Sequence, residues 1–346
     1  MVEQAELLRK LPKVDLHLHL DGSLRTETIL DLAAQQGLPL PVNTLEELAP
    51  YVQVGEDCRS LSEYLSKFHF TTKFLQTEEA LERAAYEIVE QSAEHNCGYI
   101  EVRFAPQLHR EQGLSAEAAI QHVLNGLQRG EREFGVVSRA IAICMRNHST
   151  KENIEVVEAA SQFAGLGLAA VDLAGDEAAY PPHLFREVFA RCGRKGLHVT
   201  IHAGEAGGAD HIDEALHGLG ASRIGHGVRL HENPALMNRV IERQVPLEMC
   251  PISNLQTKSV PDWDRYPIRD YFDKGIKVTV NTDNPGVSGT NITKEYGILC
   301  ERFGFSIQEL AMIAWNGLDA AFLDDSDKIQ LKRKFREQVK CLGLTV

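Results

Sequence analysis

Apolar and polar residues alternate through Val14-Asp15-Leu16-His17-Leu18-His19-Leu20, the period-two pattern of a β-strand. Short runs rich in β-branched and aliphatic residues recur at 99–104, 137–144, 168–173, 198–202, 223–226, 246–250 and 277–282, making eight with 14–19. Most of the gaps carry helical periodicity, as at 182–192 and 234–244. Strands that alternate with helices predict a parallel sheet. Eight such units predict a (β/α)8 TIM barrel, in which chemistry gathers at the C-terminal ends of the strands. An open doubly wound sheet uses the same alternation, but it would not bring the ends of strands one, five, six and eight to one point.

The spacing breaks once, between Gly22 and Cys97, a stretch too long for one crossover helix. Ser60-Leu61-Ser62-Glu63 reads as a capping box opening a helix with Leu61, Tyr64, Leu65 and Phe68 on one face. This helical insertion after the first strand is either a lid over the barrel mouth or ordinary core packing. A second capping box, Ser306-Ile307-Gln308-Glu309, opens a helical C-terminal stretch that packs on the barrel. No repeat beyond the βα unit and no linker stand out, so 1–346 reads as a single domain.

Polar residues fall where a barrel wants its chemistry. His17 and His19 are two apart on a strand and share a face, so their imidazoles can converge on a metal. Arg103 ends the second strand, Arg146 follows the third, and Asp172 and Gly175 end the fourth. His202 ends the fifth, His226 the sixth, and Asp283 follows the eighth. His17, His19, His202 and Asp283 together suit Zn²⁺, and the same donors would accept Fe²⁺, Mn²⁺ or Co²⁺.

Glu205, in His202-Ala203-Gly204-Glu205, would stand beside the metal without ligating it. A carboxylic acid there can protonate a leaving group or ring nitrogen, provided burial raises its pKa. Its plainer role would be to cap the helix after Gly207-Gly208. His226, between Gly225 and Gly227, can orient or deprotonate water activated at the metal. It could equally be a fourth imidazole ligand or a core histidine. Asp283 can serve both metal and water, or simply make an Asx turn before Pro285.

Composition narrows the partners. Net charge is −13 and pI near 5.6, which disfavours nonspecific binding to nucleic acid or an anionic membrane. No run approaches the ~18 consecutive apolar residues of a membrane span. The charged stretch 1–13 is unlike a signal peptide. Seven scattered cysteines without CxxC spacing predict reduced thiols and a cytoplasmic protein, with Cys250 a buried inert thiol.

Four motifs in this order resemble the adenosine deaminase family: PKVDLHLHLDGS at 12–23, VDLAGDE at 171–177 with HAGE at 202–205, RIGHG at 223–227, and NTDNP at 281–285. The similarity extends over about 7–325. It implies a zinc-dependent barrel, with one Zn²⁺ per chain, that hydrolyses the 6-amino group of a purine nucleoside. Carried over by position, His17, His19, His202 and Asp283 would bind zinc, and His226 and Asp283 would activate and orient its water. Glu205 would protonate purine N1. Gly175 would offer its N–H to N3, and Asp21 would receive the ribose 5′-hydroxyl. Leu61, Tyr64, Leu65 and Phe68 would form an apolar lid. Many family members have a second Asp where this chain has Asn284. An amide can donate directly to N7, so Asn284 is expected to keep that contact.

Asp21 favours a ribosylated substrate over free adenine, and bulky 5′ groups, as in methylthioadenosine or aminodeoxyfutalosine, would collide with it. Adenosine and deoxyadenosine lead on those grounds. A binuclear hydrolase of the wider amidohydrolase superfamily would commonly need a lysine near the end of strand four, and 168–175 has none. A catalytically silent barrel that binds other proteins is disfavoured, since every metal and acid position is filled. The HxE…PCxxC pattern of the cytidine-type zinc deaminases is absent.

Overall fold

The computed structural model describes residues 2–55, 58 and 61–346. Eight strands lie side by side in chain order: β1 (Lys13–His19), β2 (Cys97–Phe104), β3 (Val137–Met145), β4 (Leu168–Ala174), β5 (His198–Ala203), β6 (Arg223–His226), β7 (Leu247–Met249) and β8 (Val278–Val280). Each neighbouring pair is parallel. Beyond β8 the chain reaches back to β1. Asp283 N–H donates to the His17 carbonyl at 2.8 Å, and His19 N–H donates to the Asp283 carbonyl at 2.7 Å. The result is the expected (β/α)8 barrel.

The last two strands are shorter than their apolar runs. Pro246 and Cys250 fall outside β7, and Asn281 and Thr282 outside β8. At 182–192 the expected helix is instead a 3₁₀ turn, Pro182–Phe185, followed by one helical turn, Arg186–Phe189. Pro182 stands at the first helical position, where proline is tolerated; the break falls at Phe185, whose φ of −107° and ψ of 8° leave the helical region.

The barrel interior carries charge as well as apolar packing. Arg103 from β2 lies between Asp172 from β4 and Glu248 from β7, at 2.8 Å from each. Below them Arg223 from β6 binds Glu248 at 2.7 Å and pairs with Glu101 from β2. Phe322 closes the N-terminal end of the barrel: the Arg223 guanidinium stacks 3.6 Å from its ring centroid. Its N–H also donates to Glu101 at 2.7 Å.

The insertion after β1 is helical: Thr26–Gln36, Leu45–Val52, Leu61–Ser66, Phe68–Thr71 and Glu78–Glu94. The expected Ser60 cap lies outside the described residues. The Ser306–Glu309 capping box is present and opens Ile307–Ala320. That helix packs on β1, where a Cβ at Gly317 would stand 2.9 Å from a Val14 methyl. Among the described residues no helix is long and apolar enough to cross a membrane. No disulfide joins any of the described cysteines, and Cys250 is buried.

The helices Glu78–Glu94 and Ala116–Phe134 cross most closely at Gly126. A Cβ there would lie 2.2 Å from the Glu82 carbonyl oxygen and 2.8 Å from Ala85 Cβ. Helix propensity alone favours alanine over glycine by about 1 kcal/mol, but the backbone obstacle cannot rotate away. Gly126→Ala is expected to destabilise the fold by about 1–3 kcal/mol, read from the urea midpoint; a midpoint equal to or above the parent's refutes this.

Candidate active site

Five side chains from four parts of the barrel meet at its C-terminal end. His17 and His19 come from β1, His202 from β5, His226 from the end of β6, and Asp283 from the turn after β8. All five are buried. His17 Nε2 lies 3.0 Å from His202 Nε2, and His19 Nε2 lies 3.3 Å from the same atom. Asp283 Oδ1 stands 3.4 Å from His17 Nε2 and 3.3 Å from His19 Nε2. Donor atoms of His17, His202, His226 and Asp283 lie within 4.8 Å of one another.

Hydrogen bonds behind the rings decide what the inner nitrogens can do. His17 Nδ1 donates to Glu248 at 2.9 Å, and His202 Nδ1 donates to Asp172 at 3.0 Å. In their neutral tautomers both Nε2 atoms then carry bare lone pairs facing each other. A cation resolves that repulsion. Donors about 2.0–2.1 Å from a tetrahedral ion stand roughly 3.3–3.4 Å apart, close to the spacing found here. The donor set therefore fits a divalent metal. Paired carboxylate and imidazole groups of this kind orient metal-binding histidines generally. Burial would raise Glu248, but Arg103 and Arg223 outweigh it and hold the carboxyl well below its usual range.

His226 is held differently. Its Nδ1 stands 3.0 Å from the Asn254 amide nitrogen. The Asn254 oxygen accepts from Tyr266 Oη at 3.1 Å, which turns the amide N–H toward His226. Nδ1 is then the acceptor, and the proton sits on Nε2. Burial, then the nearby His17, hold His226 well below the usual imidazole range, so the ring is neutral. His226 thus presents an N–H where His17 and His202 present lone pairs. His226 and Asp283 both have left-handed φ, 62° and 60°, a strained backbone of the kind that clusters at functional sites. Gly225 makes room between the rings: a Cβ there would stand 3.1 Å from His17 Cε1.

Glu205 sits in the turn after β5 with Oε2 3.7 Å from His226 Nε2. Burial, then the Asp283 carboxylate, push its pKa up to about 8. It does not cap the following helix. Gly208 occupies the cap position of Ala209–His217, and Glu232 accepts from Ala209 N–H at 3.3 Å.

His19, His202, Glu205, His226 and Asp283 line one wall of a cavity of about 690 Å³. Asp21, Gly175 and Asn284 line it too, as do Tyr64, Leu65 and Phe68 from the insertion. Phe68 lies edge-on to His19 with ring centroids 6.5 Å apart, and Tyr64 Oη meets Ser288 Oγ at 2.7 Å. The single expected helix is thus two, and both Phe68–Thr71 and Leu61–Ser66 border the mouth. Leu61 begins that helix, but its side chain lies outside the described residues. Asp21 Oδ1 is buried without a hydrogen-bond partner, and burial pushes the carboxyl up to about 6. Asn284 Oδ1 is likewise unpartnered and rests against Gly22, where a Cβ would stand only 2.0 Å away. Gly175 has φ 108°, a conformation that favours glycine.

Several site residues escape a reading of motifs. Glu248, Ser253, Asn254 and Glu177 all act through side-chain contacts with distant segments. Ser253 Oγ donates to Asp283 Oδ2 at 2.6 Å. The one local signal was Glu248, a lone carboxylate inside the apolar run 245–250.

A family model described as adenosine deaminase matches residues 12–338. A protein named adenosine deaminase from Clostridium botulinum (strain Okra / Type B1) is 43% identical over 329 residues, covering 95% of this chain and 98% of its own. Among solved structures, an adenine deaminase from Arthrobacter aurescens superposes with a TM-score of 0.88 at 31% identity, covering 95% of this chain and 99% of that one. The N6-methyl-AMP deaminase of Arabidopsis thaliana gives 0.84 at 26% identity, covering 96% and 98%. A hydrolase barrel with an inward cluster of histidines and aspartate, matched along nearly its whole length, the chain belongs to the adenosine deaminase family.

Proposed function

We propose that this enzyme hydrolyses adenosine and deoxyadenosine to inosine or deoxyinosine plus ammonia, using one Zn²⁺ per chain held by His17, His19, His202 and Asp283. One observation carries this reading. The metal-fitting cluster, the buried Glu205 carboxyl with its raised pKa and the buried Asp21 carboxyl, one oxygen of which is unpartnered, all open on the same cavity. Zinc in that cluster supplies Lewis-acid activation of water.

The chain's own residues do the rest. Glu205 keeps its proton at neutral pH and gives it to purine N1 as water adds to C6. Asp283 accepts a proton from the attacking water, and His226 Nε2–H orients that water by donating to its oxygen. As C6 collapses to the carbonyl, Asp283 passes its proton to the amino nitrogen, which leaves as ammonia, and the C6 hydroxyl proton returns to Glu205. Gly175 N–H meets N3, and the Asn284 amide nitrogen, opposite its Gly22-facing oxygen, donates to N7. Asp21 accepts the ribose 5′-hydroxyl. Tyr64, Leu65 and Phe68 cover the base and exclude water, which strengthens each polar contact. With no disulfide among the described cysteines and no lysine at the end of β4, we read the protein as a cytoplasmic, mononuclear enzyme.

A second reading has a specific observation behind it: the structural likeness to an adenine deaminase. Free adenine would leave the buried Asp21 without a partner, so the nucleoside is favoured. Asp21→Ala is expected to raise KM for adenosine roughly 10- to 100-fold, the loss of a hydrogen bond to a charged group, and to leave adenine untouched. Faster turnover of adenine than adenosine by the parent enzyme would overturn the nucleoside assignment.

Glu205→Gln should keep its metal, one equivalent by elemental analysis, and lose about 10²–10⁴-fold in kcat. Since only the protonated acid donates, parent turnover should also fall as pH rises through the Glu205 pKa. Near-parent turnover in Glu205→Gln rules out the acid role. Asn284→Ala is expected to lower kcat/KM for adenosine roughly 2- to 10-fold, the range for one neutral hydrogen bond; unchanged constants would remove Asn284 from N7.

A further inference from the structure

We infer that Glu177 is a positioning residue for deamination, holding the turn that carries Glu205; this rests on the proposed role of Glu205 as the acid. Glu177 is fully buried between β4 and the turn after β5. Its carboxylate gathers five donors. Oε1 accepts from Gly204 N–H at 2.8 Å and from His211 Nδ1 at 3.0 Å. Oε2 accepts from the N–H groups of Glu205, Ala206 and Gly207 at 3.0, 2.7 and 2.8 Å.

Four consecutive backbone N–H groups leaving a strand have no ladder partner and would ordinarily face water. Here one side chain satisfies all of them, and one of the four is the N–H of Glu205 itself. The surrounding residues are shaped to permit this. Gly204 takes φ 68°. A Cβ on Gly207 would stand 1.9 Å from His211 Nδ1, so glycine lets His211 reach Glu177. Arg146 ties the end of β5 to the segment after β4, donating to the His202 carbonyl at 2.6 Å and the Tyr180 carbonyl at 2.5 Å. Burial opposes ionisation, yet His211, the Gly207 N–H and Arg146 bring Glu177 down to about 2, so it holds the turn as a carboxylate throughout the working pH range.

The carboxylate is required by chemistry as well as shape. Glutamine has one acceptor oxygen, so its amide N–H₂ must face either three turn donors or one turn donor and His211. Either arrangement sets donor against donor and pushes the turn away. A displacement of about 1 Å at a proton donor costs on the order of 100-fold in rate.

Glu177→Gln, measured as the metal-loaded enzyme on adenosine, should lose roughly 10- to 100-fold in kcat while KM stays within about threefold. Its metal content should equal the parent's, because no metal-cluster side chain touches Glu177. Amide hydrogen exchange at 204–207 should quicken while β5 itself keeps its protection. Glu177→Asp, which keeps both acceptor oxygens, should recover part of the rate and protection; it carries the test by itself if the glutamine variant does not fold. Parent-like kcat and exchange in the folded variant overturn the inference, as does a rate loss that only tracks the folded fraction. A parent enzyme that releases no ammonia from adenosine would defeat the functional reading instead, while the exchange measurement would still decide whether Glu177 holds the turn.

Discussion

The contact that closes the barrel also builds its chemistry. Asp283 N–H and C=O bond the carbonyl of His17 and the N–H of His19. The same three residues turn their side chains toward a common point. Closure and cluster formation are therefore one event. The backbone at Asp283 accepts a left-handed φ, which costs about 1–3 kcal/mol, because the two closure bonds and the Ser253 hydrogen bond leave it nowhere else to go.

Behind that cluster stands a column of buried charge. Arg103 orders Asp172 and Glu248, which in turn set the tautomers of His202 and His17. Arg223 ties Glu248 to Glu101 and rests on Phe322 at the far end. Such pairs contribute little net stability against an apolar replacement, yet removing one partner commonly costs 3–5 kcal/mol. Here they serve orientation. Counting Asp283, carboxylates along this axis outnumber guanidiniums, an imbalance that a divalent cation would offset.

Sequence alone revealed the barrel and the residues that gather at its C-terminal end because both rest on local patterns. Period-two strands reveal themselves by alternation, and a His-x-His pair on a strand must share a face. The residues that escaped work at a distance. Asn254 matters because its amide fixes the His226 tautomer, and no spacing within the chain encodes that meeting. Glu177 lay in plain view inside VDLAGDE, but its role depends on a turn that passes beside it only in three dimensions. The tautomer of His226 likewise turns on one hydrogen bond from Asn254. The stretch 182–192 misled because apolar spacing does not register the backbone break at Phe185.

Closure through the chain's two ends sets a schedule for assembly. Leu16 N–H bonds the Asn281 side chain across a separation of 265 residues, and the metal cluster spans a similar distance. Contacts of that range form late, since ordering the intervening chain carries a large entropic cost before they repay it. A nascent chain that has completed seven strands already holds His17, His19, His202 and His226, but not Asp283 or the seam that aligns them. Metal affinity at this cluster would thus belong to the closed barrel, and a bound ion would report that the eighth strand has joined the first.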